Sequence, residues 1–169
     1  IYRKDIRIGD TIKIKRAGDV IPQVIGVVKE KRRKDSIVYC APKYCPSCNS
    51  ITFKPSGEAV RRCLSGVNCP AQTVEKLKHF VSKNALNIDG LGEKLIEMLF
   101  KEGIIKDFAD IFTIYKYKDR LEKKVGLGKL SVSNLLDSIE SKRETSFDKL
   151  IYALGIRHIG EANSKLLAI

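Results

Sequence analysis

Apolar and polar residues alternate through the first part of the chain. Four isoleucines between Ile6 and Ile14 are separated by polar or small residues, a pattern typical of strands covered on one face. A β-branched run follows at residues 24–28, and the Gly-Asp pairs at 9–10 and 18–19 mark turns before it. A short last strand is predicted at residues 37–40. We therefore expect β-structure over residues 1–43, with too little sheet to close a barrel by itself.

Beyond residue 72 the apolar residues recur with helical spacing. Four apolar stripes predict helices that each bury one face, and we interpret these stripes as core and not as cofactor contacts. The hydroxyl of Thr145, three residues before the carboxylate of Asp148, predicts a capping box at the last stripe. The stripes consist of Val74, Leu77, Val81 and Ala85; Leu95, Ile96, Leu99 and Phe100; Val132, Leu135, Leu136 and Ile139; and Phe147, Leu150, Ile151 and Leu154.

The net charge narrows the choice of partners. The 169 residues include 32 Lys and Arg against 20 Asp and Glu, a formal charge of +12. Such a surface favours polyanions, because cationic side chains displace the counterions condensed on phosphates. The alternative is that the charge only keeps the protein soluble. No stretch approaches the roughly 20 apolar residues of a spanning helix, so no membrane partner is expected.

The amino-terminal sequence helps to predict the cellular location of the protein. Residues 1–5 lack the apolar run of a secretion signal, and the missing initial Met suggests a piece of a longer protein. We expect a cytoplasmic protein. No obligate protein partner is evident.

Four cysteines have the spacing of a metal site. Cys45 and Cys48 enclose two residues, 14 residues follow, and Cys63 and Cys69 enclose five. A Cys-x2-Cys turn brings two thiolates to one tetrahedral ion, and four thiolates leave no open position for water. We therefore expect one structural zinc ion. The alternatives are a redox Cys-x2-Cys pair or two disulfides. Cys40 is expected to be a buried residue and not a metal ligand.

A Gly-apolar-Gly pattern precedes three of the predicted helices. It occurs at residues 90–92 and 126–128, and a third copy at 158–160 has His158 in place of the first glycine. Glycines allow another backbone to come close. The first amides of the following helix have no partner within the helix and can donate to a phosphate oxygen. A single copy is also what an ordinary helix–helix turn uses. The predicted DNA-contacting residues here are Gly90, Gly92, Gly126, Gly128, Lys129 and Gly160.

The two histidines are not metal candidates beside four thiols. His79 is interpreted as a helix-surface residue, and His158 could equally face solvent. With His158 in its loop, the third copy is expected to hold the fold together and to touch DNA weakly or not at all.

Taken in combination, these motifs resemble the bacterial NAD-dependent DNA ligases. The resemblance rests on Ile8-Gly9-Asp10-Thr11, the run from Lys15 to Val24, the cysteine spacing, Asp89-Gly90-Leu91-Gly92, and the run from Tyr152 to Gly160. It implies a multi-module α+β chain. Its modules would be a partial OB-fold segment (1–43), a small four-cysteine zinc finger (44–72) and an all-α helix-hairpin-helix domain (73–169) with three hairpins, cut before a fourth.

The resemblance also implies an activity. Enzymes of that family seal nicks in duplex DNA: a lysine takes AMP from NAD and passes it to the 5′-phosphate, and the 3′-hydroxyl displaces it. By resemblance, Lys15, Arg16 and Asp19 would approach DNA or nucleotide, although residues 16–19 could equally be only a turn. NAD and magnesium are expected only for the full-length enzyme.

This chain lacks the nucleotidyl-lysine motif. It has no Lys-x-Asp-Gly, and Asn87-Ile88-Asp89-Gly90 carries Asn where the lysine would stand. The piece should therefore be inactive alone and should clamp duplex DNA, which we expect to be nicked. Two other classes stay open: a non-enzymatic zinc and hairpin module of a repair or recombination protein, and an adaptor whose basic face meets acidic proteins.

Overall fold

The computed structural model describes residues 1–18, 21–124 and 126–169. The chain forms two compact units. The first comprises residues 1–45 and 51–62, and the second comprises residues 46–50 and 63–169. Three of the four clustered cysteines therefore belong to the unit that contains the helices.

The first unit is built from short antiparallel strands. Its longest element is the hairpin of β2 and β3, paired from Ile12 opposite Val27 to Ala17 opposite Ile21 with an irregularity after Lys13. The strands are β1 Arg7–Ile8, β2 Ile12–Ala17, β3 Ile21–Val27, β4 Ile37–Val38, β5 Thr52–Phe53 and β6 Arg62–Cys63, which ends in the second unit. β1 pairs with β4 and β5 pairs with β6. The predicted strands are confirmed, and in the described part of the chain they form two-stranded sheets.

The end of the last predicted strand is wrong. Strand β4 stops at Val38, and Cys40 is exposed, so its interpretation as a buried residue is also wrong. The β-branched and aromatic composition of residues 37–40 favours a strand, but only the first two residues find a partner, in Arg7 and Ile8. Between β3 and β4 the chain forms a 3₁₀ turn at Lys29–Lys31.

An arginine and two aspartates hold the first unit together. The Arg32 guanidinium donates to Asp10 at 2.8 and 2.9 Å and to Asp5 at 2.6 Å, and Asp10 also accepts the Arg7 amide at 2.8 Å. The Asp10 side chain is fully covered. Hydrogen bonding to Arg32 lowers the pKa of Asp10 below its ordinary 3.8, and the Arg7 amide acts in the same direction.

The second unit is helical. Pro70 starts the first helix, where a missing N–H costs nothing, and Asp107 and Asp110 form a capping box at the third. The helices are α1 Pro70–Val81, α2 Glu93–Lys101, α3 Phe108–Ile111, α4 Lys118–Glu122, α5 Lys129–Glu140, α6 Phe147–Ala153 and α7 Glu161–Leu167. No helix in the described ranges is both long and apolar enough to cross a bilayer.

Three of the four predicted stripes form one core. Leu77, Ile96 and Leu99 are completely buried, Leu135 nearly so, and Leu95, Phe100 and Leu136 pack partly buried against them. Leu91, between the first and second helices, joins the same cluster. These positions confirm that the stripes are structural.

The fourth stripe departs from the prediction. Ile151 is buried, but Phe147 is 61% exposed, and Leu150 and Leu154 are exposed as well. The predicted capping box is also wrong, because α6 begins one residue later, at an N-cap Ser146 whose side chain caps no amide. The Ser146 hydroxyl instead bonds Asp148 and lowers the pKa of that carboxyl.

His79 links two helices and is not a plain surface residue. Its Nε2 lies 2.9 Å from the carbonyl oxygen of Tyr152, and the two rings meet edge to face with centroids 5.0 Å apart. Gly155 lies against the imidazole with φ +61°, and a Cβ there would come within 3.2 Å of His79 Cδ2. The contact fixes the end of α6 against α1.

Candidate functional site

The four predicted ligand cysteines converge. The sulfur atoms of Cys45, Cys48, Cys63 and Cys69 all lie within 4.8 Å of one another, although up to 24 residues separate them in the chain. Cys45 and Cys69 are buried, and Cys48 and Cys63 are half-buried. No disulfide bond joins any of the five cysteines, all of which lie in the described ranges.

The donor set fits zinc. Tetrahedral coordination at a Zn–S distance of about 2.3 Å separates the sulfurs by about 3.8 Å. The Sγ atoms of Cys48 and Cys63 are 3.5 Å apart, too far for a disulfide bond and close to that edge length. Four sulfur donors without a carboxylate or imidazole suit a soft or borderline ion and leave no open position.

Two serine hydroxyls lie beside the thiol of Cys48. Cys48 Sγ lies 3.4 Å from the Ser50 hydroxyl oxygen and 3.6 Å from that of Ser65. Hydrogen bonds from Ser50 above all, and then from Ser65, lower the pKa of Cys48 to about 6. The thiolate, which is the ligand form, is therefore favoured at neutral pH.

Helix α1 begins on this cysteine cluster. Cys69 is both a member of the cluster and the N-cap of α1, and its own side chain does not cap the helix. Ser47, inside the Cys-x2-Cys turn, accepts from the Ala71 amide at 3.2 Å instead. Gln72 donates to the carbonyl of Cys63 at 3.2 Å. The cysteine cluster thus fixes the first turn of the helical unit.

The three Gly-apolar-Gly copies have one backbone shape. We name them loop 1 (residues 90–92), loop 2 (126–128) and loop 3 (158–160). In each, the first residue is left-handed, with φ +82° at Gly90, +85° at Gly126 and +69° at His158. The middle residue donates its amide to the carbonyl three residues earlier, at 3.4, 3.1 and 3.0 Å in turn. This is a β-turn whose third residue has positive φ.

Each loop ends in a glycine that caps a helix with its backbone alone. Gly92, Gly128 and Gly160 are the extended N-cap residues of α2, α5 and α7, and their carbonyls accept the first helical hydrogen bonds. A Cβ at any of the three would have no heavy atom within 4 Å. The space beside each of these N-cap glycines is therefore open.

The middle residues differ in burial. Leu91 is buried, and Leu127 is partly buried against the same core. Ile159 is half-buried. The apolar residue thus anchors loop 1 most firmly. The predicted DNA-contacting residues of these loops are all exposed: Gly90, Gly92, Gly126, Gly128, Lys129 and Gly160. Val125, beside Gly126, lies outside the described residues.

Charge distinguishes the loops. Asp89 and Glu93 flank loop 1, whereas Lys123 and Lys129 flank loop 2, whose helix has no acid in its first turn. Lys124 also lies beside loop 2, but it is paired with Glu102. Loop 3 is followed by Glu161, which Lys165 pairs at 2.9 Å.

The predicted residues of the first unit lie on its long hairpin. Lys15 and Arg16 are exposed on β2, opposite Gln23 and Pro22. Arg16 therefore belongs to a strand and not to a turn. Asp19 lies outside the described residues.

Sequence reasoning missed the residues that support these sites. Ser47, Ser50 and Ser65 surround the cysteine cluster, and Ser138 contacts the residue before loop 1. The Cys-x2-Cys turn could have indicated Ser47 and Ser50, since both lie within two residues of a ligand cysteine. Nothing local indicates Ser138.

Comparison with known proteins identifies two segments. Residues 1–36 match the NAD-dependent DNA ligase OB-fold domain, and residues 44–71 match the NAD-dependent DNA ligase C4 zinc finger domain. The resemblance to this family is thereby confirmed, and so are the OB-fold segment and the four-cysteine finger.

Curated relatives extend the similarity to nearly the whole chain. The DNA ligase of Nitrobacter hamburgensis is 52% identical over 166 residues, covering 97% of this chain and 23% of the relative. That of Rhodopseudomonas palustris is 52% identical over 167 residues, covering 98% and 23%. That of Rickettsia bellii is 48% identical over 172 residues, covering 99% and 25%. The chain therefore spans about a quarter of the length of these relatives.

Proposed function

Because this chain is a segment of the NAD-dependent DNA ligase family, we propose that it is the part that holds duplex DNA around the nick to be sealed. The full-length enzyme would join the 3′-hydroxyl and 5′-phosphate ends in DNA replication and repair. NAD, magnesium and the nucleotidyl lysine would be supplied outside these 169 residues, since the sequence contains no Lys-x-Asp-Gly. The segment alone should bind DNA without sealing it, in the cytoplasm.

The observation that carries the proposal is the threefold loop geometry. A left-handed residue, an anchored apolar residue and a glycine N-cap recur before α2, α5 and α7, and we interpret them as helix-hairpin-helix units. The glycine leaves room for a phosphate oxygen to approach the first-turn amides. Such contacts recognise the DNA backbone and not the base sequence.

The cysteine cluster would hold one zinc ion in a structural role. Bound zinc would cross-link Cys45, Cys48, Cys63 and Cys69 and compensate the charge of their thiolates. Ser50 and Ser65 favour the thiolate at Cys48. Ser47 and Gln72 connect the same cluster to α1. The finger would then orient the helix that precedes loop 1.

The first unit contributes cations. Lys15 and Arg16 are exposed on β2, and we propose that they contact the backbone of the same duplex. Asp19, outside the described residues, stays a predicted contact. The remainder of the +12 charge would supply the long-range attraction. The three modules would be residues 1–43, 44–72 and 73–169.

Binding measurements test the proposal. Fluorescence anisotropy with nicked duplex, intact duplex and single-stranded DNA should give the strongest binding to duplex, with affinity that falls as salt rises. Gly92→Val combined with Gly128→Val should weaken binding at least about tenfold, because two phosphate approaches are blocked. Neither position has positive φ or a close neighbour, so the fold should persist.

Gly26→Val is the matched control. Gly26 also has open space and no positive φ, but it lies outside the loops. Unchanged affinity in the folded double variant would refute the phosphate role of the loops. Salt-insensitive binding, or tighter binding to acidic proteins than to DNA, would favour the adaptor alternative. Nick sealing by the segment alone would contradict its assignment as a holding module.

A further inference from the structure

The chain on the amino-terminal side of loop 1 is attached to α1. Asn87, with φ +51°, donates its amide to the Ser82 carbonyl at 2.9 Å, and Ile88 donates to Val81 at 3.1 Å. Ile88 is buried. This side of the loop is therefore fixed by the helix that begins at the cysteine cluster.

The loop itself rests on a different helix. The amide of Asp89 donates to the hydroxyl oxygen of Ser138 on α5 at 2.8 Å. A Cβ built on Gly90 would lie 3.6 Å from the Cβ of Leu135, one turn earlier on α5. Leu135 is 2% exposed and cannot move away freely. Loop 1 thus takes its position from α5.

Helix α5 also carries loop 2 at its start. Gly128 is its N-cap, and Ser138 lies ten residues further along, which is about 15 Å of helix. One rigid element therefore determines the positions of both loops, although loop 1 precedes it by more than 30 residues in sequence.

We propose that Ser138 is a positioning residue for DNA binding. It holds loop 1 at a fixed place relative to loop 2, so that the two loops engage the backbone of one duplex together. Ser138 does not contact DNA; it acts through the Asp89 amide. This inference rests on the proposed function of the loops.

The chemistry of residue 138 makes the proposal specific. A hydroxyl accepts the Asp89 N–H, and Thr retains that acceptor whereas Ala does not. Loss of one hydrogen bond of this kind corresponds to about a three- to tenfold change in an equilibrium constant. We expect Ser138→Ala to weaken duplex binding by that factor and Ser138→Thr to restore it to within about twofold.

The experiment is a double-variant cycle in the whole 169-residue chain, with a fluorescein-labelled nicked duplex as the probe. Ser138→Ala should lose its effect in a Gly92→Val background, because loop 1 no longer binds there. It should lose its effect in a Gly128→Val background as well, because the placement of loop 1 relative to loop 2 matters only while both loops bind. Ser133→Ala, on the same helix and also half-buried, is the matched control and should bind like the wild-type chain.

The outcomes separate the two proposals. If Gly92→Val and Gly128→Val weaken binding but Ser138→Ala does not, the positioning role is overturned and the function of the loops stands. An undiminished effect of Ser138→Ala in either background would overturn it as well, because it would indicate general destabilisation and not the joint placement of the two loops. If the glycine variants bind normally, the proposed DNA contact of the loops is refuted, and the positioning role that rests on it falls with it. Amide exchange at Asp89, faster in Ser138→Ala and restored in Ser138→Thr, supports the contact independently of DNA.

Discussion

His158 has in loop 3 the left-handed backbone that Gly90 has in loop 1, with φ +69° against +82°. A side chain is strained in this region, and the cost for a non-glycine residue is about 1–2 kcal/mol. The loop is therefore preserved by its surroundings, including the bond from Asn163 to the His158 carbonyl at 3.1 Å.

Replacing His158 by glycine should stabilise the protein. The backbone strain that glycine removes is larger than the entropy cost of its more flexible unfolded chain, which is about 0.5–1 kcal/mol. We therefore expect the free energy of unfolding to rise by about 0.5–1 kcal/mol. Urea unfolding followed by circular dichroism measures it. His158→Ala is the control, because it removes the imidazole and keeps the strain. Equal stabilisation by both variants would point to the imidazole instead.

The first helical residues of α2 and α5 should have opposite effects on DNA binding. Glu93 and Lys129 occupy the same position after Gly92 and Gly128. Glu93→Gln removes a carboxylate that competes with phosphate, so binding should strengthen. Lys129→Gln should weaken binding and reduce the salt slope by about one.

The free energy of unfolding of the Glu93→Gln and Lys129→Gln variants provides an independent check. Glu93→Gln should cost about 0.3–1 kcal/mol, because an acid at a helix start is stabilising, whereas Lys129→Gln should cost nothing. If both variants change affinity in the same direction, the two loops do not differ by charge in the way proposed. Anisotropy titrations at several salt concentrations measure the slopes.

Disruption of the cysteine cluster should loosen α1 before the rest of the helical unit. Cys63→Ser removes one ligand, and a strong zinc chelator removes the ion. Either change releases Cys69, the N-cap of α1, from the cluster. Metal analysis should give one zinc per wild-type chain. Amide exchange should rise first at residues 71–73, while α5 stays protected. Unchanged melting in Cys63→Ser would contradict a structural role.

Ser47→Ala tests the same junction without touching a ligand. The Ser47 hydroxyl caps the Ala71 amide, and loss of such a cap costs about 0.5–2 kcal/mol. Zinc content should not change. Ser56→Ala, an exposed serine of the first unit, is the control. A Ser47 variant as stable as this control would show that α1 does not depend on the cap.

Acid should weaken the first unit through Asp10. Pairing with Arg32 lowers the pKa of Asp10 in the folded state, so the stability from this carboxylate is present above the unfolded value of about 3.8 and is lost as the pH falls through the lower folded value. Asp10→Asn should therefore be less stable than wild type at neutral pH. The difference should shrink below about pH 3.8.

The surface pair of Asp35 and Arg33 provides the comparison. Its side chains are about 70% exposed, so Asp35→Asn should leave unfolding unchanged at either pH. Urea titrations monitored by NMR signals of β2 and β3 separate the first unit from the helices. A constant difference between Asp10→Asn and wild type across the pH range would contradict the linkage.

The sequence predicted features that depend on near neighbours. The cysteine spacing predicted the cysteine cluster, and the spacing of Leu77, Ile96 and Leu99 predicted buried helix faces. Both follow from local geometry, since a short turn brings two thiols together and a helix repeats every 3.6 residues. The Gly-apolar-Gly pattern likewise indicated the loops, including the copy in which histidine replaces glycine.

Features that depend on distant residues were missed. His79 meets Tyr152 across 73 positions, and Asp89 meets Ser138 across 49. No periodicity encodes such pairs. The exposed face of α6 was mispredicted for a related reason: an amphipathic pattern shows which side of a helix is apolar, and packing decides what covers it.

The ten residues between Gly128 and Ser138 have a consequence for evolution and engineering. Inserting or deleting one residue within α5 would rotate Ser138 by about 100° and shift it by about 1.5 Å along the helix axis. Leu135 would rotate away from Gly90 as well. Helix α5 should therefore tolerate substitutions on its exposed face but no change of length. The mostly exposed connection from 141 to 146 lies beyond Ser138, and we expect that it can lengthen without moving either loop.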